Sequence, residues 1–212
     1  MGILNTSKDY FNRIADRWDE VSRGFFSENV REKAVDLAGV QEGEVAADIG
    51  AGSGFVTEGL LARALKVIAV DQSEAMLEVI RGKFAGAGDL DCRKGTEEAL
   101  PIDNRTVDYV FANMYLHHVE FPGPAIAEMA RILKSGGKLV ITDLDEHPYE
   151  MLAKEQHDRW LGFKREDVKH WFEAADLKEV RVECLDERCR SISSTGIEEA
   201  DVSIFVALGV KG

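Results

Sequence analysis

A chain of 212 residues, 45% hydrophobic and 31% charged, is long enough to bury one ample core and has the composition of a soluble globular domain. Its 39 acidic against 26 basic residues give a formal net charge of −13, which disfavours nucleic acid as a partner. No apolar run approaches the roughly 20 residues a bilayer demands, and three cysteines cannot make a complete disulfide framework, so no membrane partner and a reducing cytoplasm are expected. The N-terminus lacks a signal-peptide core, and Met1 to Thr6 matches the myristoylation pattern M-G-x-x-x-[ST] only as a short consensus that recurs by chance.

Tyr10, Phe11, Ile14, Trp18 and Val21 recur at helical spacing and predict an amphipathic first helix ending at Arg23-Gly24. Its aromatic face either packs on the body or closes over a cleft, which makes Tyr10 and Trp18 candidate substrate contacts. Ser27 reads as the N-cap of a second helix through Val30, Ala34, Leu37 and Ala38, stopped by Gly39.

Val45 to Ile49 is a short apolar run interrupted by Asp48, and Gly50, Gly52 and Gly54 follow at alternate positions. Phe55, Val56, Leu60, Leu61 and Leu65 then recur at three- and four-residue spacing, so the stretch reads as strand, glycine turn and helix. A dinucleotide fingerprint needs a third glycine where Phe55 stands, and no Gly-Lys-Ser/Thr follows to make a phosphate loop. Asp48 would repel a pyrophosphate and suits a ligand bearing positive charge. The pattern D-x-G-x-G-x-G resembles motif I of the class I S-adenosylmethionine-dependent methyltransferases. That resemblance implies that Asp48, Gly50, Ala51, Gly52 and Gly54 hold the amino-acid end of the cofactor.

Lys66 to Asp71 is a second buried-type strand, and Asp71 lies 21 residues after Gly50, placed to accept both hydroxyls of a ribose. Gln72 adjoins it, and Met76 sits on the apolar face of a helix capped by Ser73. After a third strand, Leu90 to Lys94, the run Gly95-Thr96-Glu97-Glu98-Ala99-Leu100-Pro101 stands where related methyltransferases commonly carry G-D-A-E-x-L-P. Thr96 replaces the acid and Glu97 the alanine; both are candidates for the adenine end.

Val107 to Asn113 is a fourth strand, and Asn113, Tyr115, His117 and His118 fall at its carboxyl edge, where doubly wound sheets bind ligands. Asn113 is assigned to the cofactor and Tyr115 to the substrate. Adjacent in sequence, His117 and His118 are expected to face different ways. A metal site would need further ligands at suitable spacing, so no metal is expected.

A helix from Pro122 ends at Lys134-Ser135-Gly136-Gly137, and Lys138 to Asp143 is the fifth strand. The run A-R-I-L-K-S-G-G-K-L-V-I-T-D is similar to the ubiquinone/menaquinone-biosynthesis-like methyltransferases of type 11. His117, His118 and Asp143 are the candidate catalytic groups, and His147 is a candidate substrate contact. A helix-like segment from Tyr149 to Trp160 leads into W-L-G-F. With Y-F-N-R-I-A-D-R-W-D in the first helix, that run resembles a subgroup often fused to ArsR-type regulators. No regulator domain is expected here, the methyltransferase pattern beginning near residue 10. A helix from Arg165 to Ala175, a strand from Val180 to Cys184, a polar loop over 185–200 and a last strand from Val202 to Gly209 complete the chain.

Alternating strands and helices argue for a parallel sheet covered on both faces. The resemblance implies an α/β fold: a doubly wound, Rossmann-like, seven-stranded, mostly parallel sheet with a final antiparallel strand. One domain spanning 1–212 is expected, with a helical cap over 1–40, a cofactor-binding core over 41–143 and a substrate side over 144–212. S-adenosylmethionine is the expected cofactor and a small molecule the expected acceptor; acceptor identity and oligomeric state have no signature. Two alternatives stay open. Cys92, Cys184 and Cys189 could supply three soft ligands for arsenite in a metalloid methyltransferase, or the chain could bind the cofactor without turnover. A nicotinamide oxidoreductase is opposed by Asp48 and Phe55.

Overall fold

The computed structural model describes residues 7–22 and 24–212. The M-G-x-x-x-[ST] pattern and the helix break at Arg23 therefore lie outside the described residues. The expected first helix is α1 (Ser7–Ile14), a 3-10 turn (Ala15–Arg17) and α2 (Trp18–Ser22). The turn re-phases the helical face, so that Phe11 and Trp18 meet edge to face at 5.1 Å. Then α3 (Asn29–Ala38) begins one residue past Glu28, with Ser27 Oγ accepting from the Asn29 N–H, and ends on Gly39 in the left-handed conformation.

Five strands follow in the expected order: β1 (Val45–Ile49), β2 (Lys66–Asp71), β3 (Leu90–Lys94), β4 (Val107–Asn113) and β5 (Leu133–Leu144). Between them lie α4 (Phe55–Leu61), α5 (Glu74–Lys83) and α6 (Pro122–Ile132), and Ser73 caps α5 as expected by accepting from Met76 N–H. Central β1 and β4 are buried almost throughout, as parallel strands covered on both faces must be, whereas edge strand β3 is half exposed. The K-S-G-G segment is not a loop but a bulged start of β5. Leu133 pairs with Val107, and after the glycines the ladder resumes at Lys138 opposite Tyr109.

The chain closes with α7 (Glu150–Glu155), α8 (Arg165–Ala174), β6 (Leu177–Ile192) and β7 (Glu199–Lys211). Two expectations fail here. The helix predicted to Trp160 stops at Glu155. The polar loop predicted over 185–200 is instead a long hairpin, with Cys189 paired to Val202 and Ile192 to Glu199. Its polar residues hid the alternation: Leu185, Cys189 and Ser191 turn inward while Arg188 and Arg190 face Asp201 at the surface.

The seven strands run in the order β3-β2-β1-β4-β5-β7-β6, with β7 antiparallel to both neighbours. Leu60, Ile80 and Phe111 centre one core layer, and Ile126, Met129 and Phe172 the other. This is the doubly wound fold with helices on both faces. Its strand order reverses between β1 and β4, which opens a crevice at their carboxyl ends.

Candidate active site

The crevice is a cleft of about 850 Å³ over the glycine turn. Gly50, Gly52 and Gly54 all hold positive φ, at 69°, 54° and 90°. A Cβ on Gly50 would lie 2.2 Å from the Tyr115 ring, so at this residue glycine is required by backbone and neighbour alike. Gly54 has a different task, ending the turn as the N-cap of α4.

Two carboxylates face the cleft, and among the described residues no lysine or arginine lines it. Asp48 Oδ2 accepts from the Thr57 N–H at 2.9 Å and the Thr57 hydroxyl at 2.7 Å. Burial outweighs these bonds and, with the neighbouring charge of Asp71 adding to it, lifts the Asp48 carboxyl to about 6. Asp71 Oδ2 accepts from Gly52 N–H at 2.9 Å and its Oδ1 from Ser73 N–H at 2.8 Å. Burial raises Asp71 as well. Each oxygen keeps a further lone pair for a hydroxyl donor. Two carboxylates, one buried and one half-buried, without a counter-cation among the described residues are complementary to a cationic ligand, and the bare glycine backbone leaves room for one.

Gln72, Met76, Thr96 and Asn113 also line this cleft, Asn113 Oδ1 accepting from the Thr142 hydroxyl at 2.7 Å. Glu97 does not; its carboxylate lies 3.5 Å from the Tyr115 hydroxyl. Tyr115, expected to touch substrate, is part of this same wall.

A second chamber of about 470 Å³ adjoins the cleft and shares Phe11, Trp18, Phe26, Met114 and His118 with it. Phe25, Leu144 and Leu152 make its apolar side, and His117, His118, Gln156, Asp158 and Ser191 its polar side. Trp18 stands at the junction as expected. Tyr10 lines neither space: its hydroxyl donates to Gln156 Oε1 at 3.0 Å and ties α1 to the segment after α7. His147 is buried behind the chamber and bonds locally, its Nδ1 accepting from Tyr149 N–H at 3.3 Å.

The histidine pair corrects the expectation that its members diverge. Both lie in a 3-10 turn (Leu116–His118), their rings 4.2 Å apart and turned toward one carboxylate, Asp158. Fully buried Asp143 binds His117 Nδ1 through Oδ1 at 2.7 Å and accepts Leu116 N–H through Oδ2 at 2.8 Å. It faces neither space and acts as the holder of His117. Burial alone would lower His117; the charge and hydrogen bond of Asp143, with Asp158 behind, reverse this and raise it to about 9. His118, lowered by burial and by His117, stays neutral. Among the described residues His118 Nδ1 and Asp158 Oδ1 have no hydrogen-bond partner, a condition that costs about 1–3 kcal/mol for each buried polar atom. Asp158 was missed in the sequence, although it sits two residues before the W-L-G-F run that carried the subgroup resemblance.

The three cysteines do not assemble. Cys92 lies on β3 at one edge of the sheet, and Cys184 and Cys189 on β6 at the other. Six strand spacings separate the edges, roughly 29 Å, so a three-thiol metalloid site is excluded by topology.

Residues 47–141 match a family described as "Methyltransferase domain". Demethylmenaquinone methyltransferase of Thermobifida fusca (strain YX) is 33% identical over 162 residues, covering 72% of this chain and 65% of that protein. The chain carries a class I S-adenosylmethionine-dependent methyltransferase domain. S-adenosylmethionine is accordingly its cofactor, and the uncharged-backbone, doubly acidic cleft fits that ligand. Malonyl-[acyl-carrier protein] O-methyltransferase of Marinomonas sp. (strain MWYL1) is 26% identical over 175 residues, 79% of this chain and 63% of that one. The chain thus spans less than two thirds of these curated relatives. Among solved structures, the putative methyltransferase complexed with the Haloferax volcanii Trm112 activator superposes with a TM-score of 0.77 at 21% identity, covering 97% of both chains, and shares the fold.

Proposed function

We propose that the chain methylates a small molecule by in-line transfer, with the donor over the glycine turn and the acceptor in the second chamber. The observation that carries this reading is the contact between the two spaces, which meet at Met114 and His118 under the Phe11 and Trp18 rings. S-adenosylmethionine supplies an electrophilic methyl group on a sulfonium. What the protein adds is position and dryness. Asp71 takes the ribose hydroxyls, Asp48 faces the cationic end, and Thr96 and Asn113 complete the donor wall.

The aromatic lid of Phe11, Trp18 and Phe26 excludes water from the junction, where near-attack geometry supplies most of the acceleration. His117, held by Asp143, and His118 stand at the acceptor's reactive end. The volume and lining of the chamber favour an acceptor with an apolar body and one polar nucleophilic atom. The relatives' names, a demethylmenaquinone and a malonyl-[acyl-carrier protein] enzyme, are compatible with acceptors of that kind. Net charge of −13 and an acidic cleft weigh against nucleic acid. Among the described residues no helix is long and apolar enough to cross a membrane.

Incubation of the full chain with methyl-labelled S-adenosylmethionine and a panel of quinol, phenol, thiol and carboxylate acceptors tests the reading. Label transfer to a small acceptor that saturates the enzyme is expected. Transfer only to protein or nucleic acid would defeat it.

A further inference from the structure

On the polar side of the acceptor chamber three ligand atoms converge. His117 Nε2 lies 3.7 Å and His118 Nδ1 3.8 Å from Asp158 Oδ1, and all three are within 4.8 Å of one another. We propose that His117, His118 and Asp158 bind a divalent transition metal of the zinc class, with one coordination position open to the chamber.

The positions of these three atoms favour a cation there. His117 donates its Nδ1 proton to Asp143 and points Nε2 toward Asp158; a metal ion would displace the Nε2 proton to solvent and take that lone pair. His118 engages the backbone of His157, which leaves Nδ1 with its own lone pair and no partner. Two imidazole nitrogens and a carboxylate oxygen, the last in a residue more than nine-tenths buried, thus face a common space. A proton shared between Nε2 and Oδ1 would draw them to about 2.7–2.9 Å, whereas they stand 3.7 Å apart. A metal about 2.0–2.2 Å from each ligand separates tetrahedral neighbours by roughly 3.3–3.5 Å. The two spacings to Asp158 Oδ1 need only a few tenths of an ångström of contraction, and the two imidazoles close the rest by turning their rings.

The donor set selects the metal. Two imidazoles and one carboxylate suit zinc and its neighbours, while magnesium and calcium favour oxygen. Asp143 behind His117 is the outer carboxylate that such histidine ligands use to fix tautomer and orientation. The backbone is arranged to match: Arg159 and Trp160 N–H groups donate to the His117 carbonyl at 3.0 and 3.1 Å, clamping the Asp158 segment onto the histidine turn. Three ligands with an open fourth position is the catalytic form of a zinc site. Its role toward the acceptor rests on the methyl-transfer reading. It would select acceptors whose hydroxyl or thiol can coordinate after losing its proton to solvent.

The full chain, stripped with a chelator, is titrated with Zn²⁺ by calorimetry and with Co²⁺ by visible absorption. One equivalent of either is expected, Co²⁺ giving the absorption of a low-coordinate site. Asp158→Asn and His118→Ala should each weaken binding at least tenfold, and Asp143→Asn about 10–100-fold, as loss of an outer-shell partner does. S-adenosylmethionine affinity, unchanged within twofold in Asp158→Asn, reports that the variant is folded. Absence of stoichiometric binding by folded protein would overturn the proposal. So would unchanged affinity in the double variant H118A/D158N, which would put the metal on surface histidines. Because metal and S-adenosylmethionine binding are read separately, failure of the donor reading is distinguishable from failure of this one.

Discussion

The glycine-turn cleft, proposed for the donor, and the second chamber, proposed for the acceptor, share a wall but are made in opposite ways. The cleft is largely local: its key residues fall between Asp48 and Met76, on one strand–turn–helix and the start of the next. The chamber draws on α1, the turn after β4, the end of β5, α7, the 156–158 segment and β6. A local site is fixed by backbone conformation and a dispersed one by packing. Changes in the first should therefore act on donor binding, and changes in the second on acceptor and metal.

The largest effect is expected at Asp71. Asp71→Ala removes the proposed ribose acceptor and frees the Gly52 N–H, and S-adenosylmethionine affinity by calorimetry should fall at least 100-fold, about 2.7 kcal/mol. Zn²⁺ binding should be untouched; joint loss of both would dissolve the distinction between the two sites.

Gly50→Ala comes next. Positive φ and the Tyr115 ring oppose any side chain there, so a loss of about 1–3 kcal/mol in thermal or urea unfolding is expected, together with weaker donor binding.

A third change sharpens the comparison from the other side. Leu152→Trp fills the apolar end of the chamber, and methyl transfer should fall at least tenfold while S-adenosylmethionine affinity stays within twofold. Equal loss of both would show one continuous site.

The smallest effect is a pH dependence. Asp48 titrates near 6 when folded against 3.8 as its ordinary value, so its protonated form favours the fold. That contribution is fully present below 3.8 and lost as pH rises through about 6, a difference on the order of 3 kcal/mol at most. Cofactor-free Asp48→Asn should therefore gain in melting temperature over the parent at pH 8 and not at pH 4. The parent's affinity for S-adenosylmethionine should weaken as pH falls from 8 to 5, and the variant's should not.

Periodicity and glycine spacing were enough to place β1 to β4 and the donor turn, because parallel buried strands are continuous apolar runs and positive φ leaves glycines in the chain. They did not reveal the β6–β7 hairpin, whose polar residues masked the alternation. The separation of the three cysteines to opposite sheet edges is also a matter of topology. Asp158 is the clearest case. It stands 40 residues beyond His118, after a short helix, and reaches the histidines only because its segment is clamped to the His117 carbonyl. The sequence alone therefore determined the fold class and the glycine-turn cleft, whose determinants are contiguous. Tertiary structure decided the second chamber and the convergence of His117, His118 and Asp158, because contacts between distant segments are set by packing and leave no spacing to read.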